Sequence, residues 1–260
     1  QGFTQDDAHI FCTPEQLVNE INEIIDFVQD AMSIFNMTFE VELSTRPESF
    51  VGDIEHWEKA EAGLREAMEK RGMKYDVNEG DGAFYGPKID FKFKDAIGRT
   101  WQCATIQLDF NLPIRFNLKY QDKDGELKTP VMLHRVVFGS MERFHGILTE
   151  HYAGAFPTWL NPKQVAVVPI ADRHLEACEE VFNTLKSRGF RVLLDDRSES
   201  MNYKIRDCLQ NKKIPYVLVL GDKEIAENTV AVRARGRGPI GVFLKQWKNY
   251  RKKFNQEERQ

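Results

Sequence analysis

Apolar residues recur with a helical period in some stretches of the first half of the chain and with a period of two in others. Residues 14–35 and 55–70 carry apolar side chains three and four positions apart, which predicts two amphipathic helices. Residues 39–43 and 89–94 alternate apolar with polar side chains, the pattern of strands that bury one face. The first half therefore combines both kinds of element.

The rest of this half continues the mixed pattern. Residues 100–110 and 131–138 form apolar runs that predict two more strands, and residues 140–152 predict a closing helix. Short connections with turns such as Asp124-Gly125 favour antiparallel pairing. The predicted fold is an α+β domain with a central antiparallel sheet and flanking helices.

The second half alternates continuous apolar runs with amphipathic segments, which predicts an α/β domain with a mostly parallel sheet. Strands are predicted over residues 165–170, 190–194, 216–220 and 229–235, and helices over residues 175–187, 201–209 and 243–254. The pattern changes at Asn161-Pro162. The predicted domains are therefore residues 1–162 and residues 163–260.

Charge is distributed unevenly between these two domains. The formal net charge of −4 is the sum of −11 over residues 1–162 and +7 over residues 163–260. Such asymmetry indicates different partners for the two parts, and a basic domain suits a polyanion. No apolar run approaches the roughly 18 residues of a membrane helix, so a bilayer-spanning protein is excluded.

The four cysteines, Cys12, Cys103, Cys178 and Cys208, are scattered and form no CxxC pair. This usage is compatible with a reducing compartment and supports neither a disulfide framework nor an all-cysteine zinc site. We therefore expect a cytoplasmic location.

Local spacing alone identifies little chemistry. His9 and His134 lie far apart in the sequence, and the glycine-rich stretch from Gly80 to Lys88 lacks the spacing of a P-loop. Polar Gln102, Thr105 and Gln107 interrupt a strand that otherwise reads as buried. Because buried amides need partners, these side chains form either a satisfied core network or a polar ligand pocket, and the pattern leaves both open.

Longer segments are more specific. Residues 2–12 (GFTQDDAHIFC) resemble the second strand of motif 2 in class II aminoacyl-tRNA synthetases, and residues 139–144 (GSMERF) resemble their motif 3. Between them lie LSTRP at 43–47, GAFYGPK at 82–88 and QCATIQLDF at 102–110. Together, in this order, they resemble the threonyl-tRNA synthetase family. The second half resembles the anticodon-binding domain shared by the threonyl, prolyl, glycyl and histidyl enzymes.

The resemblance implies a threonine–tRNA ligase. Such an enzyme activates L-threonine with ATP to threonyl-adenylate and transfers it to the 3′-OH of tRNA(Thr). It implies Mg²⁺ with the ATP, a homodimer for the complete enzyme, a cytoplasmic location and no membrane partner.

The resemblance also implies site residues in the first domain. His9 and His134 match two ligands of a catalytic-site zinc, whose third ligand is a cysteine that neither Cys12 nor Cys103 replaces. Asp7 would accept a hydrogen bond from the threonine hydroxyl. The pocket for the amino acid and the ribose would be lined by Gln5, Tyr85 and Gln107.

Further roles concern ATP and RNA. Arg143 matches the motif 3 arginine that meets the γ-phosphate and covers the adenine, Gln102 and Thr105 would complete the nucleotide site, and Lys88 would contact phosphate. The residues that match anticodon contacts are Arg206, Lys213, Lys223, Glu224 and Arg233. Ser198 stands where the family has an asparagine, so one base contact departs from the pattern.

Several family parts have no counterpart in these 260 residues. Motif 1, the motif 2 arginine, the zinc-ligand cysteine and the editing domain are all missing. The sequence therefore predicts a partial catalytic domain followed by an anticodon-binding domain, and we expect that these residues alone do not activate threonine.

Two alternatives remain. One is a catalytically inactive protein of synthetase fold that binds RNA or serves as an accessory subunit, although such a protein has no use for His9, His134, Asp7 and Arg143. The other is a relative of prolyl-tRNA synthetase.

Overall fold

The chain divides into two compact units, Gln1–His151 and Tyr152–Gln260. The computed structural model describes residues 2–95 and 97–244, and each unit is considered by itself. The division falls eleven residues before the boundary predicted at residues 162/163.

Hydrogen bonds explain why the segment of residues 152–162 belongs with the second unit. The Arg235 guanidinium donates to the carbonyl of Phe156 at 2.8 Å, and Arg191 Nε donates to the carbonyl of Asn161 at 3.0 Å. The Asn161 amide donates in turn to the carbonyl of Lys213 at 3.0 Å. The change of sequence pattern at Pro162 marks the approach to the first strand of this unit and not its first residue.

The first unit consists of one large sheet with helices. Its strands are β1 (Ala8–Cys12), β2 (Phe39–Ser44), β3 (Asp76–Asn78), β4 (Lys88–Lys94), β5 (Thr100–Asp109), β6 (Tyr120–Gln121), β7 (Leu127–Lys128) and β8 (Val131–Val136). Its helices are α1 (Leu17–Ser33), α2 (Ile54–Lys70), α3 (Asn111–Arg115) and α4 (Met141–His151). The sheet order is β1-β8-β5-β4-β2-β3, and β6 and β7 form a separate hairpin. The described ladders of this unit are antiparallel except that between β2 and β3.

The sheet has one apolar face and one polar face. Phe91, Ile106 and Leu133 are fully buried on the apolar face, and α1 contacts both β5 and α2. On the other face His134 lies opposite both His9 and Gln107 in the register. Since directly opposite residues of paired strands share a face, the polar side chains of several strands converge there.

A close approach of main chains joins the loop before β4 to β5. A Cβ atom on Gly86 would lie 1.6 Å from the carbonyl oxygen of Leu108. The Leu108 N–H donates to the carbonyl of Pro87 at 3.1 Å, so the loop is bound to the strand at this point. Only glycine fits between them.

The second unit has helices on both faces of a mixed sheet. Its strands are β9 (Val165–Pro169), β10 (Val192–Leu194), β11 (Tyr216–Leu220), β12 (Thr229–Ala234) and β13 (Gly238–Leu244), in the order β10-β9-β11-β12-β13. Its helices are α5 (Leu175–Ser187), α6 (Met201–Arg206) and α7 (Asp222–Ala226). Strands β9, β10 and β11 are parallel, whereas β12 and β13 are antiparallel additions. The core residues of α5 and α6 pack on opposite faces of β9 and β11.

The predicted fold classes are confirmed, but the second sheet is mixed and not mostly parallel, because β12 and β13 pair antiparallel. Further differences lie at element ends. The helix predicted over residues 201–209 ends as α6 at Arg206 and continues as a π-helical turn, Asp207–Asn211. The helix predicted over residues 243–254 was wrong at its start, because residues 243–244 complete β13 and extend the sheet. Its remaining residues lie outside the described part of the chain.

Among the described residues no helix is long and apolar enough to cross a membrane. All four cysteines are buried and free of disulfides. Burial raises the pKa of the Cys12, Cys103 and Cys208 thiols to about 11, so these thiols are protonated at neutral pH.

Gly86→Ala is expected to lower the free energy of unfolding by at least about 2 kcal/mol, because the added methyl group overlaps main chain that cannot rotate away. Gly146→Ala is the matched control, since Gly146 is exposed in α4 with open space at its Cβ position. Alanine there is expected to stabilise by up to about 1 kcal/mol. Urea denaturation followed by circular dichroism measures both, and equal effects would contradict the close approach.

Candidate active site and nucleic-acid interface

Two histidines from neighbouring strands form the centre of the polar face in the first unit. His9 of β1 and His134 of β8 are directly opposite in register, and their rings meet edge to face with centroids 4.8 Å apart. One ligand atom from each, and one from Asp7, all lie within 4.8 Å of one another. The antiparallel pairing thus unites residues 125 positions apart, as the resemblance predicts for the two histidines.

A buried carboxylate orients the deeper histidine. Asp109 is fully buried, and its Oδ2 lies 3.1 Å from Nε2 of His134. Its other oxygen accepts the N–H groups of Asn111 at 2.7 Å and Leu112 at 3.0 Å, at the start of α3. In the tautomer with its proton on Nε2, the His134 ring donates to this carboxylate and leaves the lone pair of Nδ1 for a ligand, which is a common arrangement around metal-binding histidines.

Tyr85 and Gln107 lie beside this histidine pair. The Tyr85 hydroxyl donates to Oε1 of Gln107, and the Tyr85 and His134 rings are 5.3 Å apart. Burial, followed by the negative charges of Asp109 and Asp7, raises the pKa of Tyr85 to about 12. Tyr85 is therefore a hydrogen-bonding phenol at neutral pH and not a base.

The segment before β1 is fixed by two acidic residues. The Asp6 carboxylate accepts the N–H groups of Val137 at 2.9 Å and Phe138 at 3.1 Å. Glu142 accepts the N–H of Thr4 at 3.1 Å. Gln5 lies between these anchors in a bridge with Ser140. Gln5 is thus placed by backbone pairing with Ser140, the residue before α4.

A second carboxylate gathers three of the predicted substrate residues. Asp90 is fully buried, and its Oδ1 accepts Nε2 of Gln102 at 2.6 Å and Oγ1 of Thr105 at 2.9 Å. Its Oδ2 lies 2.9 Å from Nζ of Lys88 and accepts Oγ of Ser44 at 3.0 Å. Gln102 and Thr105 therefore share one buried acceptor, whereas Gln107, on the same strand, is bound by Tyr85.

Lys88 lies between two acidic residues. Besides Asp90, it contacts Asp81 at 3.2 Å. Burial opposes the charged form of Lys88, but the bonds to Asp90 and Asp81 outweigh it and raise the pKa of Lys88. A permanently charged ammonium group, suited to a phosphate, is the result.

Arg143 of α4 contacts Gln102, a member of the Asp90 network. Its guanidinium donates to the carbonyl of Gln102 and lies 6.0 Å from the centre of the Trp101 ring. Gly139, with φ +73°, leaves room for it, because a Cβ there would lie 2.9 Å from the Arg143 nitrogen. The nucleotide residues implied by the resemblance therefore lie close together.

Sequence reasoning missed the carboxylates that organise this face. Asp90 alternates with apolar residues and was grouped with the exposed side of its strand, although it is fully buried. The available signal was the need of half-buried Gln102 and buried Thr105 for an acceptor. Asp6 and Asp109 gave no comparable signal, because their partners are main-chain N–H groups and a distant histidine.

The predicted RNA contacts of the second unit lie on several elements. Arg206 is exposed at the end of α6, Lys223 and Glu224 lie in α7, and Arg233 lies in β12. Lys213 has φ +55° in the turn before β11. Glu224 also caps α7, since its Oε2 accepts the N–H of Gly221 at 3.0 Å.

A network of ion pairs supports the π-helical turn beside Arg206. Asp207 accepts Nη2 of Arg197 at 2.7 Å and Nδ2 of Asn211 at 3.0 Å, and lies 3.0 Å from Nζ of Lys212. Arg197 also pairs with buried Asp195 at 2.7 Å. The hydrogen bonds of Asn211, Lys212 and Arg197 hold the pKa of Asp207 well below its usual range. The Arg197–Asp207 pair thereby joins the segment after β10 to the π-helical turn, next to Arg206, for which an RNA contact is predicted.

Comparison with known proteins agrees with this geometry. Residues 1–152 match the sequence model of the tRNA synthetase class II core domain of the G, H, P, S and T enzymes. Residues 164–241 match that of the anticodon binding domain. The chain therefore belongs to the class II tRNA synthetase family.

Individual relatives of the chain are synthetases for one amino acid, threonine. The chain is 57% identical over 239 residues to the threonine–tRNA ligase of Carboxydothermus hydrogenoformans and 58% identical over 241 residues to that of Desulforamulus reducens. These alignments cover 92% and 93% of the chain and 38% of each relative. Among class II synthetases the chain is thus similar to threonine–tRNA ligases, and it spans well under half of their length.

Solved structures show the same relation. A crystal structure described as the RNA binding domain of threonyl-tRNA synthetase from Cryptosporidium parvum superposes with a TM-score of 0.92 at 41% identity, covering 98% of this chain and 64% of that one. Prolyl-tRNA synthetase from the same organism superposes with a TM-score of 0.63 at 18% identity, covering 96% of this chain and 47% of that one. The prolyl enzyme shares the fold alone.

Asp207→Asn is expected to lower the free energy of unfolding at pH 7 by about 1–3 kcal/mol, because it removes the charge that Arg197 and Lys212 share. A carboxylate whose pKa is depressed by folding stabilises above its unfolded pKa of about 3.9 and loses that contribution below it. The deficit of the variant should therefore shrink as the pH falls from about 5 to 3. Chemical denaturation across this range checks it, with exposed Asp196→Asn as control; a deficit that does not change with pH would contradict the assignment.

Proposed function

We propose that this chain is part of a threonine–tRNA ligase and supplies its threonine pocket, much of its ATP site and its anticodon-binding surface. One observation carries the proposal: the histidine pair with Asp7 and the Asp90 network share the polar face of one sheet. The identity of 57% to 58% to ligases of that name supports it. Because the chain spans 38% of those relatives, the activity is proposed for the whole protein.

The donor set of the histidine cluster fits zinc. Two imidazoles from adjacent strands, one oriented by buried Asp109, are ligands that Zn²⁺ prefers, and a further ligand is needed to complete its shell. His9 and His134 would hold the ion. When bound, it would act as a Lewis acid toward the amino and hydroxyl groups of threonine.

The chain's own residues would then select the hydroxyl. Valine has nearly the same shape as threonine, so an apolar pocket separates the two poorly. Asp7, next to His9, would accept a hydrogen bond from the threonine hydroxyl that valine cannot donate. Tyr85, held by Gln107, would close the pocket as a neutral phenol, and Gln5 would line its edge.

The nucleotide would lie along the Asp90 network. Arg143 would meet the γ-phosphate and cover the adenine, because a planar and permanently charged group suits both tasks. Lys88 would contact phosphate, with Mg²⁺ accompanying the ATP, and Gln102 and Thr105 would complete the site. Activation and transfer both depend mainly on positioning and charge stabilisation, which these fixed groups provide.

The second unit would bind tRNA(Thr) through Arg206, Lys213, Lys223, Glu224 and Arg233. Cations would serve phosphates, while Glu224 and Arg233 would read unstacked base edges. The anticodon binding domain match of residues 164–241 supports this assignment. The homodimer and the cytoplasmic location remain predictions, as does the expectation that the chain alone does not activate threonine.

No specific observation favours either alternative. The prolyl relation rests on 18% identity, whereas the curated relatives described above are threonine–tRNA ligases. An inactive RNA-binding module would have no need of oriented histidines beside a nucleotide network.

The purified chain loaded with zinc is expected to bind threonine and to discriminate against valine by at least about tenfold, because one buried hydroxyl contact is lost. Metal analysis and calorimetry measure this. His134→Ala should lower both the zinc content and threonine binding, while His145→Ala, at an exposed position of α4, should change neither. Unchanged zinc content in His134→Ala would refute the metal assignment.

Anticodon stem-loop RNA is expected to bind the chain with an affinity that falls steeply with salt. Arg206→Ala should weaken binding and reduce the log–log salt slope by about 0.7, the contribution of one phosphate contact on single-stranded RNA. Lys186→Ala removes the same charge from α5, on the other face of the sheet, and should leave the slope unchanged. An affinity that stays constant from low to physiological salt would refute the RNA surface.

A further inference from the structure

Asp90 contacts side chains on its own strand and on both neighbouring strands. Its two oxygens serve four side chains from β2, β4 and β5, and the carboxylate is fully buried. The partners divide by oxygen: Gln102 and Thr105 bind Oδ1, while Ser44 and Lys88 bind Oδ2. The Oδ1 pair is the one that the proposed function assigns to the nucleotide.

A carboxylate paired with a lysine ammonium only accepts hydrogen bonds, and this fixes the polarity of its partners. Gln102 must turn its amide nitrogen toward Asp90, so its Oε1 is the atom left for a ligand. Thr105 commits its hydroxyl proton to Asp90, so its Oγ1 offers only lone pairs. Asp90 thus makes both side chains acceptors toward whatever they face.

Two neighbours limit what such acceptors can face. The Arg143 guanidinium is bound to the carbonyl of Gln102, and the Lys88 ammonium lies on the other oxygen of Asp90. Two fixed cations flank two fixed acceptors. A nucleotide carries the complementary groups, namely phosphates for the cations and hydroxyl or amino donors for the acceptors.

We propose that Asp90 is a positioning residue that sets Gln102 and Thr105 as acceptors for a donor group of the bound adenine nucleotide. This inference rests on the proposed ATP site and adds to it the residue that determines which nucleotide groups are read. The donor is either a ribose hydroxyl or the adenine amino group.

Ser44 allows the positioning role to be separated from a structural one. Its hydroxyl donates to Oδ2 at 3.0 Å, and Ser44 is as fully buried as Asp90. Ser44→Ala therefore removes one buried bond from the same carboxylate without touching the Oδ1 side. Asp90→Asn instead replaces the acceptor-only group by an amide, which allows Gln102 to reverse.

The test compares ATP, 2′-deoxy-ATP, 3′-deoxy-ATP and ITP by calorimetry on the full wild-type chain, Asp90→Asn and Ser44→Ala. The wild type is expected to bind at least one analogue about fivefold more weakly than ATP, the effect of roughly one hydrogen bond. In Asp90→Asn, ATP should bind as weakly as that analogue, so that the ratio of the dissociation constants of the analogue and of ATP falls below about twofold. Ser44→Ala should unfold at a lower temperature and keep the wild-type ratio. The analogue that loses affinity identifies the donor.

The outcomes separate this inference from the proposed function. A wild-type chain that binds no ATP refutes both. ATP binding with an unchanged ratio in Asp90→Asn, or with no analogue preference in the wild type, overturns the inference and leaves the ATP site standing. If Ser44→Ala also loses the preference for ATP over the analogue, Asp90 has only a structural role, and the inference is overturned.

A measurement on the wild type covers the case in which Asp90→Asn does not fold. The side-chain amide protons of Gln102 face Asp90, so their NMR shifts and exchange protection should persist when ATP is added. A large change in these amide signals would mean that the nitrogen faces the nucleotide, and the inference would fail.

Discussion

The polar face of the six-stranded sheet is the constraint on which the first unit depends. Side chains alternate between the two faces of a strand, so a strand that buries Phe91 on one side must direct Asp90 to the other. Burial of that second face requires every polar group on it to find a partner. Asp90 and Asp109 meet this requirement, and in doing so they fix the orientations of Lys88, Gln102, Thr105 and His134. Packing and site geometry therefore follow from the same alternation.

Local periodicity predicted most elements of this fold, and the differences occur where side-chain contacts add to the local pattern. Residues 201–209 have the pattern of one continuous helix. In the structure α6 ends at Arg206, and Asp207, which forms ion pairs with Arg197 and Lys212, begins a π-helical turn. The boundary near Pro162 follows local composition, whereas the contacts of Asn161 assign that segment to the second unit. In both cases the structure shows side-chain contacts about which a periodic pattern contains no information.

The candidate site was also only partly predictable from the sequence. Segment resemblance indicated His9, His134, Tyr85, Gln107 and Arg143. The sheet register brings His9, His134 and Gln107 together, and the loop before β4 adds Tyr85. Neither resemblance nor pattern indicated Asp90 or Asp109, because an isolated aspartate in an alternating strand is typical of a solvent-facing position. Their importance depends on strands that are distant in sequence and adjacent in space. Carboxylates that orient other side chains are therefore the part of a site that sequence reasoning recovers least.

The loop that carries Tyr85 is held by two contacts with β5 and by one with α3. Gly86 lies against the Leu108 carbonyl, Leu108 donates to Pro87, and the Asn111 amide donates to the Tyr85 carbonyl at 2.7 Å. Its backbone has thus already lost its conformational entropy in the free protein. A ligand bound beside Tyr85 would contact backbone that is already fixed, so its association would require little ordering of the protein on this side. Binding on this side would then need no later closing step of the loop.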